Sequence, residues 1–153
     1  MFANQIHTYY FLGIGGIGMS ALARYFAAKG ARVLGYDRTP SPLTKELEAE
    51  GIAVQYDDSL DTVKTLDVAN TIVVRTPAVP EDFAVYVWLR EQGFQILKRA
   101  EVLGLVTRSE RALCVAGTHG KTTTTSMVSL CFLRANLDPS IQVGSILRQI
   151  DGN

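Results

Sequence analysis

Residues 8–37 read TYYFLGIGGIGMSALARYFAAKGARVLGYD, and the fold is decided there. Thr8 to Leu12 is an aromatic and aliphatic run of strand character that breaks at a cluster of glycines. From about Gly16 to Lys29 the residues Met19, Leu22, Ala23, Phe26 and Ala27 recur at helical spacing, giving one apolar stripe with Arg24 and Lys29 outside it. Gly30 is well placed to cap that helix. Arg32 to Tyr36 then reads as a second strand, ending at Asp37. Strand, glycine turn, helix and strand make a βαβ unit, whose two strands run parallel.

The turn itself is Gly13-Ile14-Gly15-Gly16-Ile17-Gly18, the pattern G-x-G-x-x-G. Gly13 permits the tight turn, Gly15 lets backbone approach a phosphate, and Gly18 lets the helix pack closely on the sheet. The exposed N–H groups and the dipole of the helix favour a pyrophosphate. Asp37 lies nineteen positions beyond Gly18, where it can accept hydrogen bonds from a ribose or another sugar hydroxyl. These residues specify a nucleotide diphosphate without naming it, because NAD, FAD and UDP-sugars share that group.

The same alternation continues outward. Ser41 can cap a helix from Pro42 to about Glu50, and Ile52 to Gln55 is a short strand. Val68 to Arg75 is nearly continuously apolar and is expected to be a central strand. The loop TPAVPED leads to a helix from about Glu81 to Gln92, stopped by Gly93. A strand at Phe94 to Leu97 and a helix at Arg99 to Val106 follow. The fold class is α/β, a Rossmann-like, mostly parallel sheet with flanking helices. The polar run Thr107 to Arg111 is the best domain boundary, separating residues 1–108 from 109–153. Beyond it the pattern predicts a strand at Ala112 to Ala116, a glycine turn, a helix to about Ala135 and a last strand at Ser140 to Val143.

Composition agrees with a globular chain. Of 153 residues 47% are apolar and 20% charged, which excludes a disordered tail, a collagen-like fibre and a disulfide-stapled miniprotein. Fifteen basic and fifteen acidic side chains cancel, so charge gives no reason to expect nucleic acid or an anionic membrane. Tyr9 to Ala28 is long enough to span a bilayer, but its glycines would break a spanning helix, and no basic residue precedes it as in a signal peptide. A cytoplasmic protein is expected. Cys114 and Cys131 match no zinc spacing and are expected to be reduced thiols in the core.

A second constellation follows the boundary: Gly117-Thr118-His119-Gly120-Lys121-Thr122-Thr123. The loop amides can wrap a phosphate, Lys121 can neutralise the β/γ oxygens of ATP, and the Thr122 hydroxyl can ligate Mg²⁺. Val115 stands where the general phosphate-loop pattern asks for its first glycine, so the motif is the shorter G-x-x-G-K-T. His119 can bond a phosphate or simply face solvent. Two phosphate loops in one short chain imply two nucleotide-bearing substrates.

At this point three separated blocks carry a family resemblance. GTHGKTTTTSM at Gly117 to Met127 resembles the ATP loop of the Mur ligases in its histidine-containing form. FLGIGGIGMSALA at Phe11 to Ala23 resembles the family's N-terminal loop, and LKRAEVLG at Leu97 to Gly104 the segment before its ATP domain. The resemblance implies three-domain enzymes, of which this chain carries a UDP-sugar domain (1–108) and the first strand, loop and helix of the central ATPase domain (109–153). It implies that Gly13, Ile14, Gly15, Gly16, Ile17, Gly18, Met19, Ser20 and Asp37 hold UDP-N-acetylmuramate, not NAD. Thr76 and Ala78 sit where the family has Ser-Ser-Ala-Ile, near the same ligand, with Arg99 a sugar or phosphate contact or else half of a structural salt bridge.

The implied reaction is ATP-dependent amide formation in peptidoglycan precursor synthesis. The muramate carboxylate takes the γ-phosphoryl group, and the amine of L-alanine displaces phosphate from the acyl phosphate. The chain is expected to be an N-terminal piece that binds UDP-sugar without turnover, its exposed 112–153 segment packing back on the first domain or driving dimerisation. A ligase acting on a preformed murein peptide shares the GTHGKT loop, but GIGGIGMS favours the alanine reaction. An NAD-dependent dehydrogenase or sensor would explain Gly13 to Gly18 with Asp37 but not the second loop.

Overall fold

The structure is a computed structural model and describes residues 7–144. Its first half follows the expected alternation: β1 (Thr8–Leu12), α1 (Ile17–Ala28), β2 (Arg32–Tyr36), α2 (Pro42–Ala49) and β3 (Ala53–Gln55). Then come α3 (Asp61–Lys64), β4 (Thr71–Arg75), α4 (Ala84–Glu91), β5 (Gln95–Lys98), α5 (Arg99–Ser109) and α6 (Lys121–Arg134). The five strands form one wholly parallel sheet in the order β3-β2-β1-β4-β5. The order reverses at β1, whose neighbours are β2 on one side and β4 on the other. The connections from β1 and β4 lead to helices on opposite faces of the sheet, and the C-terminal edge where they diverge is the usual ligand position in such sheets.

Strand residues alternate between two apolar layers. Phe11, Val33, Ile72 and Val74 join Met19, Leu22 and Phe26 of α1, Leu47 of α2 and Val102 of α5 on one face. Tyr10, Leu12, Leu34 and Val73 join Val63 of α3 and Val85 and Leu89 of α4 on the other. Each fully buried Leu, Val or Phe contributes about 1.5–3 kcal/mol, so these two layers hold the sheet between its helices. α1 ends as expected, with Lys29 as its cap and Gly30 at φ +83°. Ser41 caps α2 through a reciprocal pair: its Oγ accepts from the Thr44 amide at 3.2 Å, and Thr44 Oγ1 accepts from the Ser41 amide at 2.8 Å. Arg24 ties α1 to α2 through Glu46 at 3.0 Å and Glu50 at 2.8 Å.

Several expectations need correction. β4 begins at Thr71, not Val68, because Asp67 bonds the amide of Ala69 and the side chain of Asn70 and folds 67–70 into a turn. β4 is interior, but β1 is the central strand. The short α3 has too few residues for a helical period to be visible. Ala112 to Ala116 is not a strand, nor is 140–143. A strand needs a hydrogen-bonded neighbour, and neither segment joins the sheet at its β3 or β5 edge. Lacking that cover, Leu113 is 64% exposed, and both Cys114 and Cys131 are exposed free thiols, not core residues. Among the described residues, no helix is long and apolar enough to cross a membrane.

Candidate functional site

The glycine loop is shaped by its contacts on three sides. Gly13 has φ +86°, and a Cβ there would meet Thr76 Cγ2 at a clashing distance and Val79 Cγ2 at 3.4 Å. The loop after β4 thus presses on the turn after β1, which brings Thr76 to the site while Ala78 stays exposed. Gly15 donates its amide to Asp37 Oδ2 at 2.6 Å, and a Cβ there would lie 2.8 Å from that oxygen and 2.8 Å from Thr44 Cγ2. Gly18 leaves room for Arg99, whose Nη1 would lie 3.0 Å from an added Cβ.

These contacts redistribute the roles expected of the loop. The amides of Gly13 and Ile14 are spent on the Tyr36 carbonyl, at 2.8 and 3.0 Å, and that of Gly15 on Asp37. The Ile14 side chain is fully buried, as is Ser20, whose hydroxyl donates to the Ile17 carbonyl at 2.9 Å; Met19 is core. All three of these side chains are buried within the protein. The Gly16 amide donates to the Gly13 carbonyl at 3.5 Å, so what remains for an anion at the start of α1 is Gly18. The Gly18 amide has no protein acceptor among the described residues. Arg99 has no carboxylate partner there either, so its salt-bridge alternative finds no support among them. An open helix-start amide beside a cation without a carboxylate partner is the chemistry of an anion site.

Two positioning residues were not legible in the sequence. Arg75, at the end of β4, donates to the Val79 carbonyl through Nε at 3.3 Å and Nη2 at 2.9 Å. It also pairs with Glu81 at 3.3 Å and lies 4.2 Å over the Tyr86 ring. It therefore pins the loop that carries Thr76. Gly35 in β2 is the second: a Cβ there would meet the Phe11 carbonyl at 2.6 Å and Ile14 Cδ1 at 2.9 Å, so only glycine lets Ile14 seat beneath the loop.

The second loop keeps its expected local form. Gly117 at φ +155° and Gly120 at φ +75° shape the turn, and α6 starts at Lys121. Lys121 Nζ donates to the carbonyls of Gly117 and Thr118, the latter at 3.2 Å, which holds the ammonium in the mouth of the loop. Thr118, His119, Lys121, Thr122 and Thr123 are all exposed. No group of three or more His, Cys, Asp or Glu side chains that could hold a metal occurs among the described residues. A surface groove of about 380 Å³ lies elsewhere, between β5 and α5 at Leu97, Glu101 and Arg108.

Comparison with known proteins agrees with this architecture. The model of the Mur ligase family, catalytic domain, matches residues 8–111. The UDP-N-acetylmuramate–L-alanine ligase of Parabacteroides distasonis is 49% identical over 98% of this chain and 33% of its own length. That of Flavobacterium psychrophilum is 48% identical over 98% of this chain and 34% of its own length. The crystal structure of the UDP-N-acetylmuramate-alanine ligase of Thermotoga maritima superposes with a TM-score of 0.83 at 32% identity, covering 95% of this chain and 34% of that one. A murein peptide ligase from Psychrobacter arcticus gives 0.76 at 27% identity, over 85% of this chain and 27% of that one. The chain spans about a third of the length of the curated relatives it matches. With a parallel α/β sheet, a glycine loop where its strand order reverses and a family match over most of its length, the chain belongs to the Mur ligase family.

Proposed function

We propose that this chain is the sugar-nucleotide-binding part of an ATP-dependent ligase that joins L-alanine to UDP-N-acetylmuramate in the cytoplasm, with residues 1–108 as the UDP-sugar domain and 109–153 as the start of the ATP-binding domain. The observation that carries it is Arg99, without a carboxylate partner among the described residues and packed over Gly18 at the start of α1. The diphosphate sits there, against the Gly18 amide and the Arg99 guanidinium, with Thr76 and Ala78 along its edge. Asp37 has one oxygen on the Gly15 amide, which leaves the other for a sugar hydroxyl.

Chemistry falls to the second loop. A carboxylate is a poor electrophile, so the muramate carboxylate first takes the γ-phosphoryl of ATP, and the alanine amine then expels phosphate. Lys121, already held in the loop mouth, offsets charge on the transferring group; this is electrostatic stabilisation, not proton transfer. Gly117 to Gly120 and Thr123 surround the phosphates, with His119 at the rim. One exposed hydroxyl, Thr122, fits a magnesium ion that arrives with ATP and keeps most of its waters, better than a preformed all-protein cage. Bound there, Mg²⁺ would neutralise phosphate charge.

The ATP loop is exposed and no carboxylate cluster stands beside it among the described residues, so these 153 residues by themselves bind without turnover. Separate calorimetric titrations with UDP-N-acetylmuramate, ATP and NAD test the reading. Binding of the UDP-sugar supports it. Tight NAD binding without UDP-sugar binding sinks it, and alanine-dependent phosphate release sinks the claim of no turnover. Sedimentation decides whether exposed Leu113, Met127 and Leu137 drive a homodimer.

A further inference from the structure

The ATP-loop segment is fastened to α1 at both ends. At the last turn, Tyr25 Oη donates to Glu110 Oε1 at 2.9 Å, and Lys29 Nζ pairs with the same oxygen at 2.9 Å. At the first turn, Gln142 Nε2 donates to the Gly18 carbonyl at 3.2 Å, across 124 residues of sequence. Beside it Val143 is only 6% exposed, although much of the intervening segment faces solvent. Between these attachments lie the whole GTHGKT loop and α6. α1 spans about 18 Å, and its two ends are held by residues flanking the ATP loop.

Both ends bear on the glycine loop through one rigid element. Gly18 is the residue whose amide is open to an anion and over which Arg99 packs. Its carbonyl is the atom that Gln142 holds. A neutral amide is suited to this place, since it anchors the turn without competing with an anion for Arg99 as a carboxylate would.

We propose that Gln142 is a positioning residue of the sugar-nucleotide loop: it fastens the ATP-loop segment to the helix turn carrying Gly18, so that filling one phosphate loop changes the affinity of the other. This rests on the reading of the glycine loop as the sugar-nucleotide site. The coupling is reciprocal, as any equilibrium coupling between two sites must be.

The test measures UDP-N-acetylmuramate affinity by calorimetry with and without a saturating non-hydrolysable ATP analogue, in the wild-type chain, Gln142→Leu and Glu110→Ala. In the wild type the analogue changes the affinity about fivefold or more. Gln142→Leu brings that factor to about one while its affinity for the analogue alone is unchanged, and Glu110→Ala, at an exposed position, lowers the factor from the other end. A factor of one in the wild type, or an unchanged factor in both variants, overturns the proposal. Hydrogen exchange without ligand separates this result from failure of the sugar-nucleotide reading. Loss of one such bond speeds exchange through residues 138–144 about fivefold even where no UDP-sugar binds, and unaltered exchange in Gln142→Leu overturns the fastening.

Discussion

The amide of Gly15 donates to the carboxylate of Asp37 at 2.6 Å, so the acid that closes β2 is anchored on the loop that follows β1. That contact orients Asp37 before any ligand arrives and consumes a donor that the glycine pattern alone assigns to phosphate. Replacing Gly15 with alanine puts a Cβ 2.8 Å from both Asp37 Oδ2 and Thr44 Cγ2. The expected cost is about 1–3 kcal/mol in denaturant unfolding, with at least about tenfold weaker UDP-sugar binding. Unchanged stability and affinity in Gly15→Ala would show that the loop has slack.

Arg99 separates a binding role from a structural one. It has no carboxylate partner among the described residues, so Arg99→Met should leave the unfolding midpoint nearly unchanged. Losing a charge-assisted contact of about 1.5–3 kcal/mol weakens UDP-sugar binding about 10- to 100-fold. Calorimetry alongside thermal unfolding reads both. A stability loss without an affinity loss would make Arg99 a packing residue.

Lys121 and Thr122 are exposed, so their removal tests ligand contacts without disturbing the core. Lys121→Ala should weaken ATP about 10-fold or more and leave UDP-sugar affinity in the absence of ATP unaltered. Thr122→Ala should lower the magnesium dependence of ATP binding. Equal loss of both nucleotides in either variant would point to misfolding instead.

The Glu110 attachment has a defined pH window. Its hydrogen bonds with Lys29 and then Tyr25 hold the Glu110 carboxyl below its usual value of 4.5, and the Glu110 contact raises Lys29 above its usual 10.5. A depressed acid contributes when pH lies above its unfolded value and loses that contribution as pH falls through the folded value. A raised base contributes below its unfolded value and loses it as pH rises through the folded one. The fastening at the last turn of α1 should therefore hold from about pH 5 to 10 and loosen outside that range. Exchange at residues 110–116, corrected for the intrinsic pH effect, measures this. Glu110→Ala should abolish the dependence.

Tyr10 carries the clearest unmet polar group. Its side chain is fully buried, its hydroxyl has no partner among the described residues, and burial pushes that hydroxyl well above the ordinary tyrosine range. Tyr10→Phe removes an unsatisfied hydroxyl at no loss of volume, and should raise stability by about 1 kcal/mol, or about 3 °C in Tm. A fall in Tm would mean that the hydroxyl is bonded, through water or otherwise.

The two kinds of information divide along a physical line. β1 and β2 have the bounds read from Thr8 to Tyr36, and Gly30 and Ser41 cap their helices as read, because strand runs, glycine caps and Ser-Pro starts act within a few residues. The glycine loops and the family blocks are local in the same sense. The 112–116 segment looked like a strand for the same local reason, yet pairing depends on a neighbour that the local pattern does not contain. Burial of Cys114 and Cys131 failed alike, since an apolar surrounding in sequence is not a surrounding in space.

The amino-acid sequence by itself determined the βα alternation, the two glycine loops and the family, all carried by residues close together along the chain. Only the tertiary structure decided that Asp37 takes the Gly15 amide, that Arg99 covers Gly18, that Arg75 pins the Thr76 loop and that Gln142 reaches the start of α1. These contacts join residues 4 to 124 positions apart and arise from the strand order of the sheet and the packing of loops over its edge. Hydrogen bonds and charges act through a few ångströms of space, and chain spacing fixes that distance only within a single turn or strand.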